Sequence, residues 1–244
     1  MINIIRPSQN PASLQTENIK DYLDKLARWQ QNPRGDKPKS AVSYRESDLI
    51  QAFDTYFFKK CYLTERQAYS SWEMDVEHFI PQNERPDLRY TWTNLYPADA
   101  YANQMKPKKT PNGGYLDPCS PFDDVEKDII YHFDVAIEEC QFEPVSESNQ
   151  KALNTAELLY RIHNGHDADS RAKTAGLRKA IAMQRDKIYK SIMAWQHAKN
   201  NQNAVEEANY RRELKSLLSR KAPFTMLMRS TTAVKIYVPK AFLD

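Results

Sequence analysis

The sequence predicts an α+β protein, a few short strands set within a predominantly helical chain. Three observations carry that prediction. Apolar residues recur at helical spacing over 16–31, 47–59 and much of 149–221. Short runs rich in β-branched and aromatic residues, such as IIYHFDVAIEECQFEPV and AVKIYVP, read as strands. Gly is scarce (5) and the 14 Pro fall mostly before position 145, so fixed turns belong to the front of the chain and helices to the back.

INIIRPS begins as a short strand or an extended arm. TENIKDYLDKLARWQQ (16–31) places apolar residues at 19, 22, 23, 26 and 29, one helical face. Residues 32–39, with two Pro and one Gly, form a loop. A second helix over 47–59 buries Leu49, Ile50, Phe53, Phe57 and Phe58, and leads into KCYLTER, expected as a hairpin. KKTPNGGYLDPCSPFDD is irregular, and Asp117 within it is more simply a turn residue before Pro118 than an acid beside a groove. Helices then dominate. NQKALNTAELLYRIHN stops at Asn164–Gly165, 169–199 is long and basic, and 203–221 is amphipathic.

The densest chemistry lies in MDVEHFIPQNERPDLRYTWTNLYPADAYANQMK (74–106). Glu77 directly precedes His78, and Asn94 and Asn103 follow. Phosphodiester hydrolysis needs a proton acceptor for water, which a histidine supplies. It also needs positive charge for the phosphate and leaving oxygen, which a cation held by one carboxylate and one amide carbonyl supplies. A Glu–His pair alone is commonly an ordinary surface or core feature, and either Asn alone suits a turn or a solvated helix. The joint spacing, with the VEHFIP and NLYPADAYAN text around it, is what singles the stretch out.

Those residues resemble the HNH nuclease family, built on a ββα-metal core. The resemblance implies that MDVEHFIP ends a first strand, NLY forms a second, and PADAYANQMK is the helix with Pro97 in its first turn. It implies that Glu77 and Asn103 are ligands of Mg²⁺ (or Mn²⁺), that His78 is the general base, and that Asn94 pins the His-bearing loop. Asp75, two residues before Glu77, could share its face as a lesser ligand candidate. Many family members add a zinc knuckle of two CxxC pairs. Here the first pair would begin at Cys61 but meets Thr64, and the second would fall on Asp99 and Ala102, so no structural zinc is expected. Packing by Trp72, Phe79, Trp92, Leu95 and Tyr96 is expected to hold the core instead.

The net charge of +3 is unevenly placed: 1–144 carries 17 Lys+Arg against 23 Asp+Glu, a net of −6, and 145–244 carries 18 against 9, a net of +9. The basic back half suits phosphate or an acidic partner, although solvated helix faces would read the same. Lys106, Lys108 and Lys109 lie just past the motif and suit contacts to a nucleic-acid backbone. Three cysteines and no apolar run long enough to span a bilayer indicate a reduced, cytoplasmic setting with no membrane partner. The expected division is 1–60 as arm and helices, 61–120 as nuclease core and 121–244 as a basic helical region.

The wider layout, with GGYLDP, NTAELLYRIHN and APFTMLMRS after the core, resembles the HNH subunits of Septu-type (PtuB-like) bacterial anti-phage systems. These also occur attached to retrons. That resemblance implies an ABC-like ATPase partner and a target of DNA or RNA, with DNA favoured. An RNase, for example one cutting tRNA, or a decayed module that only binds, shares the same residue pattern.

Overall fold

The computed structural model describes residues 1–40 and 45–244. The expected division 1–60, 61–120 and 121–244 meets an arrangement of two compact units. One comprises Ile4–Tyr62 and Ala68–Pro111; the other comprises Met1–Asn3, Leu63–Gln67 and Asn112–Asp244. Four positions of the 1–60 segment, 41–44, lie outside the described residues.

In the first unit, helix α1 (Glu17–Gln31) buries Ile19, Tyr22 and Leu26, the stripe its periodicity marks, against Tyr90. The Tyr22 and Tyr90 rings meet edge to face at 5.7 Å. Helix α2 (Ser47–Tyr56) buries Leu49, Ile50 and Phe53 and stops three residues before the predicted end. Phe58 and Lys59 both adopt φ near 58°, a left-handed turn that no helix continues through.

KCYLTER forms no paired strands but closes as a tight turn through a single bridge: the Lys59 carbonyl accepts from the Ala68 N–H at 2.9 Å, while the Tyr62 N–H donates to the Pro97 carbonyl at 3.0 Å.

Strands β1 (Asp75–His78) and β2 (Leu95–Ala98) pair antiparallel, with Glu77 opposite Tyr96 and His78 opposite Leu95. The loop between them is tightened by two 3₁₀ turns, and helix α3 (Ala100–Met105) follows at once. Pro97 lies in β2, not in the helix as expected; its missing N–H is tolerated in a two-stranded pair, where its other edge needs no donor.

Trp92, Leu95 and Tyr96 are fully buried and Phe79 is half-buried, but Trp72 is 50 % exposed and is not a core residue. The guanidinium of Arg6 lies over the Tyr96, Trp92 and Phe57 rings at 4.0, 4.6 and 5.1 Å. It also donates to the Trp92 carbonyl. The N-terminal arm, extended rather than a strand, thus anchors this core by cation–π contact.

In the second unit, IIYHFDVAIEECQFEPV forms the hairpin β3 (Ile129–Asp134) and β4 (Glu139–Pro144), with Phe133 opposite Cys140. Helix α4 (Gln150–Asn164) packs on β4 and ends at Gly165. That glycine has φ 75°, and a Cβ there would stand 2.4 Å from the Arg171 nitrogen. Helix α5 (Ala168–Asn200) starts from a capping box made by Asp167 and Ser170, and α6 (Ala204–Leu217) runs against it.

Two short helices, α7 (Thr225–Arg229) and α8 (Thr232–Tyr237), close the chain. AVKIYVP was expected as a strand and is largely α8. A helical turn buries Val234 and leaves Ile236 and Tyr237 exposed, where a strand would need a partner edge. Among the described residues no helix is long and apolar enough to cross a membrane.

Candidate active site

Glu77, His78, Gln82, Asn103, Lys106 and Lys108 line one cavity of about 500 Å³ in the first unit. The β1–β2 pair fixes the first two of these. The loop after β1 supplies Gln82, and α3 with its exit supplies the rest.

His78 sits at the end of β1, buried (7 % exposed), with both ring nitrogens engaged. Its Nε2 lies 2.9 Å from the Arg89 carbonyl, which can only accept, so Nε2 carries the hydrogen. Nδ1 then holds the lone pair and receives the Gln82 amide N–H at 2.9 Å. Gln82 is oriented for this because its Oε1 accepts from the Arg89 guanidinium. Arg89 thereby acts twice on one imidazole, through its carbonyl directly and through its side chain by way of Gln82. Burial pushes the His78 pKa below the ordinary imidazole value, against the opposing pull of the Arg89 carbonyl and Glu77. The ring is neutral at neutral pH, with Nδ1 basic.

Asn94 closes the loop that carries His78. Its Oδ1 accepts from the Ile80 N–H at 2.7 Å, and its Nδ2 donates to the Ile80 carbonyl at 3.1 Å and to Leu88 at 3.4 Å. The Asn94 carbonyl also accepts from the Phe79 N–H at 2.9 Å. The side chain thus reproduces both hydrogen bonds of a strand neighbour at Ile80, while the main chain of Asn94 holds Phe79.

Glu77 is buried (4 % exposed) and both of its oxygens are engaged. Oε2 accepts from the Tyr62 hydroxyl at 2.7 Å, and Oε1 lies 2.5 Å from the Lys106 ammonium. Lys106 also donates to the His78 and Phe79 carbonyls, at 3.0 and 2.6 Å. Asn103 points its Nδ2 at Asp75 Oδ2, 3.0 Å away, which leaves its amide oxygen as the end suited to a cation. Asp75 therefore positions Asn103.

Among the described residues no three His, Cys, Asp or Glu side chains converge on one point. The pair implied by the motif is one carboxylate and one amide. The donor chemistry fits Mg²⁺ or Mn²⁺: both oxygens are hard, both residues line the His78 cavity, and three oxygens already converge on a positive charge, the Lys106 ammonium.

Lys106, expected on the surface beside a nucleic-acid backbone, is instead 6 % exposed and turned inward. Lys108 and Lys109 are exposed. Cys61 and Cys140 are buried and Cys119 is half-buried, and none of the three is in a disulfide among the described residues. Asp117 accepts from the Cys119 N–H at 2.7 Å and is a turn residue.

Sequence reasoning did not find Gln82, Arg89 or Tyr62 as site residues. Gln82 lies four residues after His78, a spacing with no meaning until the loop folds back, and Tyr62 reaches Glu77 only through the tertiary fold. No family model, curated protein or solved structure matches the chain.

Proposed function

We propose that the chain is a metal-dependent HNH endonuclease that hydrolyses phosphodiester bonds, DNA favoured over RNA. In this reading it is the cytoplasmic effector of a bacterial anti-phage system and works with an ABC-like ATPase. The observation that carries the chemistry is a neutral, buried His78, its Nδ1 held by Gln82, that lines the same cavity as Gln82, Glu77 and Asn103.

The reaction follows from those atoms. Gln82 gives up Nδ1 to a water molecule. As the water oxygen attacks phosphorus its proton passes to Nδ1, and the bond to the leaving oxygen breaks. The imidazolium that forms is met by the Arg89 carbonyl at Nε2 and by the neighbouring Glu77. Mg²⁺ or Mn²⁺ held by Glu77 and Asn103 supplies, when bound, positive charge for the phosphate and leaving oxygens. Asn94 keeps the loop from shifting while the ring changes charge. Lys108 and Lys109 offer exposed charge to the backbone beyond the scissile bond.

The test is cleavage of supercoiled plasmid and of total cellular RNA with Mg²⁺ or Mn²⁺, wild type beside His78→Ala, alone and with the ATPase partner present. The expected loss in His78→Ala is about 10²–10⁴-fold, with EDTA abolishing what remains. Cleavage by His78→Ala at the wild-type rate would remove the mechanism, and RNA loss without plasmid loss would reassign the substrate. A second reading, a subunit that binds without chemistry, draws on the ammonium standing on Glu77; its signature is intact partner binding with no metal uptake.

A further inference from the structure

Lys106 is a buried lysine placed on a proposed ligand, and its environment is that of a bound cation. Its side chain is 3 % exposed and that of Glu77 is 5 % exposed. Three oxygens surround the ammonium: Glu77 Oε1 at 2.5 Å, the Phe79 carbonyl at 2.6 Å and the His78 carbonyl at 3.0 Å. Two of the three are main-chain atoms of the segment that carries the base, so the position is defined by the end of β1 and the residue after it.

The backbone sets the direction of the side chain. Pro107 disfavours helical geometry at the residue before it, and Lys106 leaves α3 extended, at φ −67° and ψ 129°. A divalent cation sharing Glu77 Oε1 would stand within a few ångströms of this ammonium, where like charges in a buried site exclude one another.

We propose that Lys106 is an exchangeable counter-cation. It neutralises Glu77 and holds the end of β1 in place until a divalent cation takes the carboxylate, and it is then released into the cavity lined by His78, Asn103 and Lys108. The inference rests on the nuclease reading for the identity of the metal site. It adds that metal loading and the position of Lys106 are one linked equilibrium.

Calorimetric titration with Mn²⁺ alone, without nucleic acid, tests it. Lys106→Gln keeps a neutral donor for the three oxygens and removes the competing charge; Lys106→Met serves as the second variant should the first not fold. Mn²⁺ affinity is expected to rise about tenfold or more in either, and to vanish when Glu77→Gln is added. In the wild-type chain, mass spectrometry after amine acylation is expected to find Lys106 protected in EDTA and modified once Mn²⁺ is present. Equal, Glu77-dependent affinity in wild type and variants, with Lys106 unmodified throughout, would overturn the exchange and leave the metal site standing. No Mn²⁺ uptake by any variant would overturn both.

Discussion

Each unit buries a histidine, an asparagine clamp and a cation, and the histidine and cation of the first set line a cavity. In the first unit these are His78, Asn94 and Lys106. In the second they are His163, Asn164 and Arg178, all within 8 % exposure. The two asparagines do the same thing. Asn164 accepts from the Cys140 N–H at 2.9 Å and donates to the Cys140 carbonyl at 2.7 Å, as Asn94 does at Ile80.

The cations differ. Lys106 meets a carboxylate, whereas Arg178 donates to the His163 and Asn164 carbonyls at 3.4 and 3.2 Å, satisfying the buried end of α4, and to the Arg171 carbonyl in α5 at 3.0 Å. The histidines differ as well. His163 donates Nδ1–H to Leu159 at 2.7 Å and packs its ring on Phe142 at 4.8 Å. A buried polar cluster is therefore no evidence of chemistry in itself. What marks the first is a carboxylate in contact with the cation and a histidine that lines a cavity.

The largest effect that would sharpen this contrast is on acid stability. Burial pushes the His163 pKa down to about 4, so the folded chain keeps the ring neutral. An unfolded histidine takes its proton near pH 6.5. The contribution is thus fully present above about pH 6.5, is lost as pH falls towards 4, and amounts to about 3 kcal/mol over that window. Denaturant midpoints from pH 7 to 4 should fall accordingly, and His163→Gln should flatten the slope. An unchanged slope would mean that His163 is not the group responsible.

The cations give the next effect. Arg178→Met leaves carbonyls at the end of α4 without donors and should cost about 2 kcal/mol. Mn²⁺ should restore nothing, because Arg178 donates to main-chain carbonyls and to the Thr174 hydroxyl. Recovery of the melting temperature by Mn²⁺ in Arg178→Met would erase the distinction drawn here between the two sets.

The helices were legible because periodicity reports burial directly. Ile19, Tyr22 and Leu26 in α1 and Leu49, Ile50 and Phe53 in α2 are both the stripe in the sequence and the face in the core. The strand–strand–helix order of 75–105 was legible from text rather than from period, since β1 and β2 have only four residues each. AVKIYVP misled because β-branched residues favour a strand only where an edge exists to receive one.

Lys106 misled for a related reason. In KPKK it reads as surface charge, and only the turn at Pro107 and the position of Glu77 across the cavity bring it inside. Asn94 was found through its spacing from His78. Asn164, which does identical work, lay in HNG and read as a helix stop. It is that too, but nothing in the local text names Cys140 as its partner.

The smallest effect is the most discriminating, because it sets the two asparagines against each other. Asn164→Ala strands the N–H and carbonyl of Cys140, fully buried, and should cost about 2 kcal/mol of stability. Asn94→Ala releases Ile80, half-buried at the loop surface, where water can replace the lost partners, so about 1 kcal/mol is expected. Cleavage should rank the other way. Freeing Ile80, two residues after His78, lets the imidazole drift from its cavity, and a displacement of about 1 Å at a reacting group costs up to 10²-fold in rate. Thermal melts and cleavage rates on both variants give a crossed pattern if one clamp serves the fold and the other the site. Parallel losses in both assays would make Asn94 a fold residue like its counterpart, and the distinction between the two sets would then rest on Glu77 and His78 alone.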